Sequence, residues 1–451
     1  MPGDRAMQAK MSRRNFLEVA GGVTLTTTMA GCFGVGGSQS TTTGSSSSTG
    51  TVGVWDIRTG NEQKVVQAAA AAYNNAQKAA KVHVDFFEND PYKQKLQVAM
   101  GAKNPPDVFF GWGGGILKSY VDAGDVYDLT PDLNADPTWK NKFFPSVLSN
   151  AAFDGKNYGV PNAGMQTELF FYNKDIFSKY KLNPPTTWSE LLNVINVLKK
   201  NSVIPIALAG GSQWPYLMYA EFLVDRIGGA DVFKAVFAGQ PNAWSNPAFI
   251  KANTMIQDLV KMGAFGTSYT STNADSNQDA ALVYTGKAGM MLQGNWNFSV
   301  IQTNSPNFIS GGKLGWFPFP AVEGGKGDEK NVYGNPCNFY SVSKTSKSTK
   351  DAVDYLKNGV LTDAMVKGFI NVGDVPPVQG LESQLASAPN GEWLTYNYNM
   401  AKNAPNFQLS WDQILSPTQA QASLTNLSQV FLNQIPPETF SNNMNKTIGS
   451  K

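Results

Sequence analysis

Thr51-Val52-Gly53-Val54-Trp55-Asp56-Ile57, Val82-His83-Val84-Asp85-Phe86-Phe87-Glu88 and Asp107-Val108-Phe109-Phe110-Gly111-Trp112 are three short runs rich in β-branched and aromatic residues. Such side chains suit a pleated, half-buried surface, so each run reads as a strand. Residues 61–80, between the first two, form an alanine-rich helical stretch, and residues 91–101 form a second that opens on Pro91 and stops at Gly101. Strands alternating with helices predict an α/β fold whose parallel sheet is covered by helices on both faces. In such sheets ligands bind just beyond the carboxyl ends of the strands. Those ends are Trp55-Asp56-Ile57-Arg58, Glu88-Asn89-Asp90 and Gly111-Trp112-Gly113, all carrying polar or aromatic groups suited to a site.

Upstream of this body the chain carries an address. Ser12-Arg13-Arg14-Asn15-Phe16-Leu17 resembles a twin-arginine export signal, and Met29-Ala30-Gly31-Cys32 resembles a bacterial lipobox. Glu18 stands where lysine is usual and Met29 where leucine is usual, which leaves the Tat or Sec route open. Residues 1–31 are expected to be cleaved, leaving Cys32 lipidated on the outer face of the cytoplasmic membrane. Residues 32–51 then form a Gly/Ser/Thr tether that cannot bury enough apolar surface to fold.

The remaining four hundred or so residues exceed what one hydrophobic core serves, so two or more domains are expected. The tag holds Arg5, Lys10, Arg13 and Arg14 against Asp4 and Glu18, a net of +2, and the whole chain is also +2. The mature body is therefore formally neutral, with no basic run suited to a phosphate backbone, and nucleic acid is excluded as a partner. No later apolar stretch approaches the roughly 20 residues of a membrane-spanning helix. With Cys32 committed, Cys337 is left alone and no internal disulfide is expected.

The catalytic and cofactor motifs are negative. His83 is the single histidine, which rules out a His-Glu-x-x-His zinc site. It reads as a structural, strand-embedded residue, and no Gly-x-Ser-x-Gly elbow accompanies it. Gly111-x-Gly113-Gly114 is not a dinucleotide fingerprint, since Ile116 fills the last position. A tight turn that lets something approach the backbone accounts for Gly113-Gly114-Gly115. Asp275-x-Asn277-x-Asp279 and Asp132-x-Asn134-x-Asp136 lack the glycine and distal glutamate of a calcium loop, and read as solvated loops or caps. No metal and no cofactor are expected.

From residue 156 onward the chain resembles a known family. Tyr158-Gly159-Val160-Pro161, Leu169-Phe170-Phe171-Tyr172-Asn173-Lys174-Asp175-Ile176-Phe177 and Pro184-Pro185-Thr186-Thr187-Trp188-Ser189-Glu190-Leu191 are similar to segments of family 1 extracellular solute-binding proteins, the carbohydrate receptors of ABC importers. Gly286-Lys287-Ala288-Gly289-Met290-Met291-Leu292-Gln293-Gly294-Asn295-Trp296, Phe317-Pro318-Phe319-Pro320, Val332-Tyr333-Gly334-Asn335 and Gly373-Asp374-Val375-Pro376-Pro377 follow in the family's order. Pro106-Asp107-Val108 and Gly124-Asp125-Val126-Tyr127-Asp128-Leu129-Thr130 fit upstream. The resemblance implies two α/β lobes like those of maltose-binding protein, with sugar between them. By it, lobe 1 holds residues 52–161 plus 320–371 and lobe 2 holds 162–319 plus 372–451. The crossings then fall near Pro161-Asn162-Ala163-Gly164, Pro318-Phe319-Pro320 and Asn371-Val372-Gly373, whose glycines and prolines suit a hinge. It further implies a monomer that delivers an oligosaccharide to importer permease subunits.

A sugar presents hydroxyls at its rim and C–H groups on its faces, so a receptor needs aromatic platforms and hydroxyl-pairing amides or charges. The aromatic expectations are Trp112, Trp214 and Trp296, each beside glycine or in a loop, with core or rim packing as the even alternative. Trp55, Trp393 and Trp411 are weaker choices, and Trp188 reads as structural because Thr186-Thr187-Trp188-Ser189-Glu190 carries helix-capping chemistry. The polar expectations are Arg58, Asn89, Asp90, Gln166, Asn297, Asn335, Asn338 and Asp374, each equally able to serve a turn or cap. Asp90-Pro91-Tyr92-Lys93-Gln94-Lys95-Leu96 and the run 333–343 resemble xylobiose-type receptors. The competing class is a glycoside hydrolase, which needs two carboxyl groups across a cleft; Glu168, Glu221 and Asp374 are available.

Overall fold

The computed structural model describes residues 50–450; the export signal, Cys32 and nearly all of the tether lie outside them. The opening alternation is present as read. Strand β1 (Gly50–Asp56), helix α1 (Gly60–Ala76), β2 (Ala80–Phe86), α2 (Asn89–Gly101), β3 (Val108–Gly111) and α3 (Gly114–Asp122) follow one another. β1 pairs in parallel with β2, Val54 opposite Val84, and with β3, Val54 opposite Val108. Val52 and Val54 are fully buried, so alternate residues of this strand anchor the first core.

Two further strands complete the first sheet, β4 (Val160–Pro161) and, far along the chain, β10 (Phe339–Val342). Between them come β5 (Gln166–Asn173), β6 (Ile204–Ala207), β7 (Ala288–Gly294), β8 (Leu314–Phe317) and β9 (Val332–Asn335), which with β11 (Phe407–Leu409) make the second sheet. The first sheet runs β2-β1-β3-β10-β4 and the second β11-β9-β5-β7-β6, with β8 also on β5. The second sheet is mixed: β5 is antiparallel to β7, β8 and β9, whereas β6–β7 and β9–β11 are parallel. The architecture is thus two-lobed α/β, each lobe with its own sheet.

The strand pairings place the passages between sheets. The chain leaves the first sheet after Pro161 and enters the second at Gln166; it returns between Asn335 and Phe339. The return expected at Pro318-Phe319-Pro320 is not there. Phe317 pairs with Phe170 along β5, and Phe319 is buried against Phe170, Phe222 and Trp188. The prolines there punctuate a strand end inside the second core, so residues 320–335 belong with the second sheet. The helix at Asp363–Asn371 lies beside α1, where Gly368 approaches Val65. Trp393 instead stacks on Phe298 at 4.8 Å and donates from its indole nitrogen to the Gly373 carbonyl at 2.8 Å.

Aromatic pairs run through the second core. Phe222 and Phe319 lie parallel 4.7 Å apart, Phe170 and Phe317 4.9 Å apart, and Phe233 lies on Trp411 at 4.7 Å. Trp188 is buried at the start of its helix, where Thr187 and Glu190 form a reciprocal capping box. His83 lies within β2 as read, but β2 is an edge strand and the imidazole is exposed, 3.1 Å from Asp85. Asp279 also departs, being buried in the first turn of its helix and accepting from Gln293 Nε2 at 2.8 Å. Asp136 does act as a cap, accepting from the Thr138 and Trp139 N–H groups. Among the described residues no helix is long and apolar enough to cross a membrane, and no group of three or more His, Cys, Asp or Glu side chains could hold a metal.

Candidate functional site

The carboxyl ends of β1 and β3 and the start of α2 face the second sheet across a cavity of about 270 Å³. The first lobe contributes Arg58, Glu62, Glu88, Asn89, Lys93, Phe110 and Trp112, and the passages between sheets bring Asn335 and Asn338. From the other side come Gln166, Glu168, Trp214, Asp275, Trp296, Ser410, Asp412 and Gln413. The volume is near the lower end of the range for small-molecule sites.

Two indoles dominate the second-lobe wall. Trp214 follows Gln213, whose φ of 63° turns the chain before the long helix at Pro215–Gly228. Trp296 lies folded back on Gly294, where any Cβ would collide with its six-membered ring. The two rings are 6.0 Å apart at 52°, and both are partly open. Trp112 is more enclosed, edge-on to Phe110 at 5.1 Å and Tyr92 at 6.2 Å, with Lys93 Nζ 5.2 Å above its ring.

Arg58 is held rigidly. Its guanidinium donates to Asp56 at 2.6 Å and to the Asn162 carbonyl and side-chain oxygens at 3.0 and 2.7 Å. Phe110 and Phe369 flank it at 5.5 and 5.3 Å, and Tyr340 donates to Asp56 behind it. Asn162 lies in the first passage between sheets, so this network ties the β1 end to that passage. Lys93 lies 3.4 Å from Asp412 across the cavity. At the rim the Asp90 N–H donates to the Asp275 carboxylate at 3.0 Å. Burial, with Asp275 adding to it and Lys93 opposing, pushes Asp90 up to about 6.

Four polar atoms of the wall are buried without a hydrogen-bond partner: Glu168 Oε2, Trp214 Nε1, Asn335 Oδ1 and Asn338 Oδ1. Each such group costs roughly 1–3 kcal/mol of desolvation unless something pairs with it. Together they offer acceptors and a donor beside partly open indoles, which is the complement of a polyhydroxyl ring.

Eight of the expected side chains therefore meet at one cavity: Arg58, Asn89, Trp112, Gln166, Trp214, Trp296, Asn335 and Asn338. Three do not line it. Asp90 lies behind Asn89, which donates to it at 2.9 Å. Asn297 is buried at the start of its helix and does not line the cavity. Asp374 is occupied by the Gly164 N–H at 3.3 Å and the Val375 N–H at 2.9 Å. Trp393 and Trp411 are core residues, and Trp55 packs on Phe87. Lys93 was missed although it lies one helical turn beyond Asn89, a spacing that shares a helix face. Ser410, Asp412 and Gln413 had no local signal, since only the parallel pairing of β11 with β9 brings them near.

A pair of sheets facing each other over a closed-in cavity of indoles and unpaired amides defines a solute-binding protein. The chain belongs to the bacterial extracellular solute-binding family, whose model matches residues 59–365. It is 28% identical over 302 residues to an uncharacterized ABC transporter extracellular-binding protein of Pyrococcus horikoshii, spanning 63% of this chain and 65% of that one, just under two thirds of the relative. It is 26% identical over 341 residues to the diacetylchitobiose-binding protein of Streptomyces coelicolor, spanning 74% and 75%. A structure from work on xylan utilization by Caldanaerobius polysaccharolyticus superposes with a TM-score of 0.80 at 29% identity, covering 88% of this chain and all of that one. A chitin oligosaccharide binding protein superposes with a TM-score of 0.77 at 25% identity, covering 88% and 97%. Members of this family bind solutes; they are not enzymes.

Proposed function

We propose that this protein is a lipid-anchored extracellular receptor that binds a neutral oligosaccharide between its lobes and hands it to the permease of an ABC importer. Xylobiose or a short xylo-oligosaccharide is the best-supported ligand. The observation that carries this reading is the set of four unpaired polar atoms beside Trp214 and Trp296 in one cavity. The xylan-utilization neighbour supports the choice of sugar, and the chitin and diacetylchitobiose relatives supply the competing one. The hydrolase reading loses two of its three named carboxyl groups: Glu221 lies behind Glu168 rather than in the wall, and Asp374 is spent on backbone, so only Glu168 of the three lines the cavity.

Calorimetry with xylobiose, N,N′-diacetylchitobiose and maltose, alongside thin-layer chromatography, tests it. Reversible binding of xylobiose without cleavage is expected, and a ligand at 100 times its dissociation constant adds about 2.7 kcal/mol of stability. Silence with all three sugars, or released monosaccharide, overturns the reading. The two lobes are expected to close on sugar, so small-angle scattering with saturating xylobiose should show a smaller radius of gyration. An unchanged profile at saturation removes the hinge.

The anchor is tested separately. Cys32→Ser is expected to release the protein from membranes into the medium, because Cys32 ends the apolar stretch of the export tag. Retention of the variant on membranes after washing would contradict lipidation as the attachment.

A further inference from the structure

One wall residue combines full burial, an unpaired atom and no cation. Glu168, on β5, is 2% exposed; its Oε1 accepts from Ser410 Oγ at 3.3 Å, while Oε2 has no partner and Glu168 lines the cavity. Behind it Glu221, fully buried on the helix Pro215–Gly228, takes the same hydroxyl at 3.2 Å and the Trp411 N–H at 2.6 Å. A serine hydroxyl has one proton to give, so it satisfies only one carboxylate at a time.

The other groups facing Glu168 do not relieve this. Asp412, from the short helix Trp411–Ile414, adds negative charge; β9 brings the phenol of Tyr333; and β7 places Gly294 opposite. Lys93 is engaged with Asp412, and Arg58 with Asp56 and Asn162. Two buried carboxyl groups that share one hydroxyl and lack a cation are not both ionised near neutral pH. Burial pushes Glu168 up to about 8, Ser410 opposing and Asp412 adding, and burial with the charge of Glu168 drives Glu221 well up as well. Glu221 already accepts from the Trp411 N–H, so the one Ser410 proton is assigned to Glu168 Oε1, and the acid proton then sits on Oε2, the unpaired atom.

We propose that Glu168 is a specificity-determining ligand contact that works as a neutral carboxylic acid, its Oε2–H donating to a ring or hydroxyl oxygen of the bound sugar. This deepens the receptor reading and rests on it. The sign follows directly. The donor is present below the raised pKa of Glu168 and is lost as pH rises through it, when a carboxylate would meet the same sugar oxygen.

Calorimetry of the mature protein with xylobiose from pH 6 to 9.5 tests this. Wild-type affinity is expected to hold steady at the acid end and to fall towards tenfold per pH unit at the alkaline end. At pH 8.5 binding should take up protons, read as an enthalpy that depends on the ionisation heat of the buffer. Glu168→Gln keeps a donor without a titrating proton, so its affinity should be level across the range. The wild-type proton uptake decides the matter even where that variant fails to fold. Xylobiose binding with a flat profile and no proton uptake, or a Gln variant that slopes like wild type, overturns this assignment and leaves the receptor standing. No binding of xylobiose, N,N′-diacetylchitobiose or maltose at pH 6 overturns the receptor reading and this assignment with it.

Discussion

Alanine at Trp214 or at Trp296 is expected to weaken sugar binding by roughly 30- to 1000-fold, with little loss of fold. Both rings are partly open on the cavity side and supported behind, Trp296 by the bare backbone of Gly294 and each by the other at 6.0 Å. A platform of this kind is ordered before the sugar arrives, so stacking costs little side-chain entropy. Truncating such an anchor typically costs about 2–4 kcal/mol, or roughly 30- to 1000-fold in affinity. Trp188→Ala is the contrast: that indole is buried beside Phe319, far from the cavity wall, and its loss should cost about 3–5 kcal/mol of stability while affinity holds. Trp112→Ala should weaken binding too, and should also loosen its packing with Tyr92 and Phe110. Calorimetry and thermal melts on the four variants separate the two effects. Wild-type affinity in all three cavity variants would discard this site and leave the family assignment untouched.

What the sequence made legible was local. β1 to β3 follow from alternation, alanine content and the glycine and proline stops, each signal lying within its own short stretch of chain. The strand ends then point at the cavity, and Arg58, Asn89 and Trp112 follow from that alone. Pairing between distant strands is different, because nothing in Val332-Tyr333-Gly334-Asn335 announces that its partners are residues 166–167 and 407–409. Pro318-Phe319-Pro320 has the composition of a hinge, yet the burial of Phe319 makes it core. Asp374 shows the same limit on a smaller scale: it stands at a passage between sheets, but its oxygens are taken by two N–H groups from the adjoining backbone. Glu168 was legible only as a carboxyl group; its partnership with Ser410, 242 residues away, gives it a chemistry the sequence does not display.

Gly115→Ala is expected to lower sugar affinity at least tenfold while leaving the unliganded protein as stable as wild type. The three glycines after Trp112 let another stretch of backbone come close, and that stretch is the chain's own. Gly113 and Gly114 have φ of 78° and 61°, so their role is conformational as well as steric. Gly115 is a helical residue at the start of α3, and a Cβ there would overlap the Leu415 carbonyl oxygen and lie 2.6 Å from that of Ile414. Those carbonyls follow Trp411, which is buried in the second core, so the contact joins the two lobes beside the cavity. Alanine suits a helix better than glycine by roughly 1 kcal/mol, and a small rotation about the hinge relieves the overlap, so the fold need not suffer. Closure would suffer, since Trp112 and Lys93 could no longer reach the sugar together with Asp412 and Gln413. Gly101→Ala is the matched control, as a Cβ there meets nothing within 4 Å. Scattering of the Gly115 variant should show the more open profile even at saturating xylobiose. Wild-type affinity together with wild-type compaction would mean that the lobes do not need this approach to hold their ligand.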